Sequence, residues 1–101
     1  MEKSIEMVDE ITKMLTEFAL TKFSVKALEV KGPVQESAKY RWRIVSTRYK
    51  EVTVVLKTSK PLFGKLALRS LEVFGTSEDR ALKPNLDDLR AYLETAELRP
   101  R

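Results

Sequence analysis

The chain of 101 residues contains no cysteine and no histidine. Disulfides, thiolate nucleophiles and imidazole general bases are therefore excluded. So is nearly every structural zinc design, because such sites are built from Cys or His. Gln35 and Asn85 are the single glutamine and the single asparagine. Together with dense charge, that depletion follows a thermophile tendency. Apolar runs extend over only a few residues, so no segment is expected to span a membrane. Acids crowd the first twenty residues, which argues against a signal or transit peptide, and the expected location is cytoplasmic.

A carboxylate site for magnesium remains formally open, with Asp87 and Asp88 as its nearest candidates. Two acids in the first turn of a helix are explained more simply by the helix dipole. No metal, cofactor, small-molecule substrate or membrane is expected, and no catalytic motif is present. Thr58-Ser59-Lys60 reads as a turn and Ser77-Glu78-Asp79 as a loop, so the chain is not read as an enzyme.

What the sequence does hold is charge, unevenly placed. The net charge is +4. Residues 1–20 sum to −3, residues 21–70 to +9 and residues 71–101 to −2. The basic excess therefore lies in the middle of the chain. Hydrophobic residues are 43% and charged residues 34%, a globular composition, and the length suits a single domain over 1–101. Its core is modest, so self-association would help it.

Ser4 reads as an N-cap, after which Ile5, Val8, Ile11, Leu15 and Phe18 recur at helical spacing as far as about Thr21. KYRWRIVS then alternates, with Tyr40, Trp42 and Ile44 on one side and Arg41 and Arg43 on the other. After the turn STRYK, EVTVVLKT alternates again, so the two runs form an antiparallel hairpin. KFSVKALEVKG (22–32) aligns without gaps to KLALRSLEVFG (65–75). Both shift apolar phase midway, as a β-bulge would cause, and both read as strands flanking the hairpin, the first ending at the Gly32-Pro33 break. Asn85 caps a last helix with the stripe Leu86, Leu89, Leu93 and Ala96, and Arg99, Pro100 and Arg101 form a frayed tail. The expected fold is α+β: an N-terminal helix, a four-stranded antiparallel sheet and a C-terminal helix.

A basic sheet with rings suits single-stranded nucleic acid, because Lys and Arg neutralise phosphates and exposed rings stack on bases. The candidate phosphate contacts are Arg41, Arg43, Arg48, Lys50 and Lys57. The candidate stacking rings are Tyr40, Trp42 and Tyr49. Two readings of Tyr40 and Trp42 stay open: they pack beneath the helices as core, or they line a cleft that the arginines rim. The competing function is a protein-interaction or oligomerisation module, in which the basic sheet meets an acidic partner or another copy of itself.

The helix–four strands–helix order, the basic hairpin YRWRIVSTRYK and the leucines of LDDLRAYL resemble the ThermoDBP-related proteins, a family of single-stranded nucleic-acid-binding proteins of thermophilic archaea. The resemblance implies an apolar cleft on the sheet flanked by bases, and homo-oligomerisation.

Overall fold

Val8, Ile11, Leu15 and Phe18 recur at steps of three and four, which puts them on one side of a helix. The computed structural model describes residues 2–22, 29–36, 38–58 and 68–100. In it, helix α1 (Glu2–Glu17) continues as a π turn over Phe18–Lys22, and these four side chains are buried. The helix starts at Glu2, so Ser4 lies inside it and is not its N-cap.

Five strands follow: β1 (Glu29–Glu36), β2 (Lys39–Val45), β3 (Val52–Thr58), β4 (Leu68–Phe74) and β5 (Arg80–Leu82). They form one antiparallel sheet in the order β1-β2-β3-β4-β5, so every strand pairs with its neighbour in sequence. Helix α2 (Leu86–Thr95) closes the fold. Asn85 caps α2 as expected, its side chain accepting a 2.8 Å hydrogen bond from the Asp88 amide. The α+β class and the antiparallel sheet follow the sequence reading, but the sheet has five strands rather than four.

Two irregularities shape the sheet. Pairing of β1 with β2 shifts between Lys31 and Val34, across the cis Gly32-Pro33 bond. Gly32 has φ +112° there, and a Cβ would stand 2.7 Å from the Arg41 carbonyl oxygen. Gly32-Pro33 therefore kinks β1 internally and does not end it. In β4, Ser70 pairs with Lys57 and Leu68 with Thr58, leaving Arg69 as an extra residue. This bulge falls where the apolar phase of LALRSLEV changes. The corresponding phase change in the first copy, between Val25 and Leu28, lies outside the described residues, as do 59–67.

One sheet face carries Trp42, Ile44, Val52, Val54, Leu56, Leu71 and Val73. All are buried in a single core with Ile11 and Leu15 of α1 and with Leu89, Tyr92 and Leu93 of α2. Both helices thus lie on that face. Lys31, Arg43, Lys57 and Phe74 point the other way and are exposed.

Arg99 and Pro100 are not frayed, and Arg101 lies outside the described residues. Residues 96–100 run along the end of the sheet as a strap, with bridges Thr76↔Leu98 and Tyr49↔Pro100. The Ser77 amide donates to the Glu97 carbonyl at 2.9 Å and the Lys50 amide to the Arg99 carbonyl at 2.7 Å. Leu98 is buried beneath it.

Candidate functional site

Strand pairing orders the helix-free face into rows. Lys39, Lys57 and Ser70 form one row across β2, β3 and β4. Val34, Arg41, Val55, Glu72 and Ala81 form the next, across all five strands. Lys31, Arg43, Thr53 and Phe74 form the third. The bases therefore flank a narrow apolar centre. Val55 is 8% exposed although it stands outside the core cluster of the described residues. Arg41 and Glu72 are its row neighbours.

Arg41, Arg43 and Lys57 come together on this face as expected. Arg48 and Lys50 do not join them: they are exposed in the β2–β3 loop, beside the strap. The expected rings separate more sharply. Trp42 is 0% exposed, and its indole Nε1 donates a 2.8 Å hydrogen bond to Thr12 Oγ1 on α1. It has no free face for a base. Tyr40 shares that side, opposite Leu56, and is packed partly buried against the core. Tyr49 also packs against the core, and its amide is bonded to Ser46 Oγ at 3.0 Å. None of the three is a ring on the helix-free face.

Phe74 occupies that position instead, 40% exposed. Alternation in LEVF marks it, because Leu71 and Val73 point inward and Glu72 and Phe74 must point out. Lys31 and Lys39 also belong to this face, a placement that strand register reveals and the sequence pattern does not. Lys39 stands directly opposite Lys57, and Lys31 directly opposite Arg43. Like charges in such cross-strand positions are destabilising.

Carboxylates offset part of this repulsion. Glu36 reaches both Lys39 Nζ and Arg41 Nη2, each at 3.3 Å. Lys57 Nζ lies 2.6 Å from Glu72. Glu51 accepts from Arg43 Nε at 2.9 Å and also from its Nη2. That hydrogen bond, with the Glu51 charge, raises the Arg43 pKa above its ordinary value. All these bases are partly in water, where an ion pair is weak and readily exchanged. Arg41 Nε is buried with no hydrogen-bond partner among the described residues. Lys31, Arg48, Lys50 and Arg69 have no ion pair within that set.

A cleft of about 500 Å³ opens at the end of the first row, lined by Ala38, Lys39, Lys57, Thr58, Arg69 and Ser70. Among the described residues no group of three or more Asp or Glu is placed to hold a metal. Asp87 instead lies 3.8 Å from Arg90. None of the described helices is long and apolar enough to cross a membrane. No family model, curated protein or solved structure matches the chain.

Proposed function

We propose that the protein is a non-catalytic binder of single-stranded nucleic acid and that the helix-free sheet face is its contact surface. The observation that carries this reading is the pair of like-charge oppositions, Lys39 against Lys57 and Lys31 against Arg43. A sheet selected for stability alone would put opposite charges there. A phosphate between two such bases turns repulsion into attraction, and it replaces weak exposed ion pairs at little cost. Among the described residues, Phe74 is the ring this face offers a base, beside the aliphatic surface of Val34 and Val55.

Width favours single strands. Five strands at about 4.8 Å spacing span about 19 Å, whereas the major groove of a duplex is about 12 Å wide and admits at most a two-stranded ribbon. A flexible strand can instead lie across the rows. The resemblance to the ThermoDBP-related proteins implies the same ligand class, and such a ligand suits a cytoplasmic protein.

A second reading is a self-associating module using the same face, and the exposure of Val34 at 48% favours it. Fluorescence anisotropy with labelled single- and double-stranded oligonucleotides across a salt series separates the two. Single-strand binding that weakens steeply with salt supports the first reading. No binding at low salt, with concentration-dependent dimerisation in sedimentation velocity, replaces it with the second.

A further inference from the structure

We infer that the cleft between β2, β3 and β4 is a site for a terminal phosphate, so that the protein favours strands ending in a phosphomonoester. This inference rests on the nucleic-acid reading above and assigns one part of that surface.

The sequence makes the site through the bulge. Without an extra residue in β4, position 69 would simply continue the alternation of the strand. Bulges re-aim side chains, and here Arg69 becomes part of the same cleft as Lys39 and Lys57. Arg69 has no carboxylate partner among the described residues. Ser70 adds a hydroxyl from the next position.

Charge identifies the kind of phosphate. Lys39, Lys57 and Arg69 line the cleft, and Arg41 shares Glu36 with Lys39. Against these four bases stand two carboxylates, Glu36 and Glu72. Among the described residues the surplus is two positive charges. An internal phosphodiester carries a single negative charge and two free oxygens. A phosphomonoester carries about −1.5 to −2 at pH 7 and three acceptor oxygens, a charge that matches the surplus. The cleft also lies where β2 begins and β3 ends, at the margin of the described sheet, a position that suits a strand terminus.

The test compares single-stranded oligonucleotides of one sequence bearing a 5′-phosphate, a 3′-phosphate or neither, by anisotropy at pH 7.5. A phosphorylated end should bind roughly tenfold more tightly, the gain expected of added charge-assisted hydrogen bonds. The difference should collapse in Arg69→Ala, and it should shrink at pH 5, below the second phosphate pKa of about 6. Equal affinity for all three overturns the inference and leaves the nucleic-acid reading standing. If none of the three binds, that reading fails, and the cleft is then judged by amide NMR with phenyl phosphate. Saturable shifts at Arg69 and Ser70 that vanish in Arg69→Gln would keep it as a phosphomonoester site, and their absence overturns it.

Discussion

Trp42 and Thr12, 30 residues apart, are joined by a hydrogen bond from the indole Nε1 to the threonine Oγ1. Thr12 uses its own proton on the Val8 carbonyl, at 2.9 Å, so its oxygen is left to accept. The bond ties α1 to β2 on the face away from the bases, and it settles the indole as a core group.

Trp42→Phe should therefore destabilise the fold by about 1–3 kcal/mol, through lost volume and a lost hydrogen bond. Urea denaturation measures this. The indole emission should be blue-shifted in the native protein and nearly unchanged when a ligand saturates the opposite face. A large ligand-induced quench would instead place the ligand against the core side.

The acids on the helix-free face should act as competitors of phosphate. Arg41→Ala combined with Arg43→Ala should weaken binding for every sequence and make the salt slope shallower by about 1.4, two contacts at about 0.7 each. Glu36→Gln should do the reverse, tightening binding roughly threefold by freeing Lys39 and Arg41. Titration at several salt concentrations reads both effects, and unchanged binding by the folded double variant rejects this surface.

Gly75 joins β4 to the loop before β5 at φ +92°, and a Cβ there would stand 2.1 Å from the Glu51 carbonyl oxygen. Strain and a backbone clash act together, so Gly75→Ala should cost about 2 kcal/mol or more. Its thermal midpoint checks this, and stability equal to wild type would show that the loop yields.

Leu98 is buried under the strap, so Leu98→Ala should cost about 2–4 kcal/mol. A frayed tail would give almost no change in the denaturation midpoint.

The helices and the hairpin were legible because each repeats its period several times: α1 from Val8 to Phe18, β2 and β3 through strict alternation. The bulge in β4 was legible as a change of phase. Strand β5 was not, since its three residues are too few to show a period. The strap was hidden for the same reason, each of its bridges resting on a single residue. For the site, alternation sorted Arg41 and Arg43 from Trp42, but two sets of residues carry no label saying which is covered. Packing volume decided that, placing the large indole inward. The shift at Gly32-Pro33 fixes the placing of Lys31 opposite Arg43, and no one-dimensional pattern encodes that displacement.

The meander also sets an order of assembly. Each strand finds its partner next door in the chain, so the sheet can zip hairpin by hairpin with little loop entropy to overcome. The Tyr49–Pro100 bridge and the Trp42–Thr12 contact must instead close longer stretches of chain, and they are expected to form last. Stopped-flow chevrons should show this as Leu98→Ala and Thr12→Val accelerating unfolding while leaving the folding limb almost unmoved. On that order the base-bearing sheet precedes full coverage of its opposite face, and that interval is when the apolar side would be most open to wrong partners.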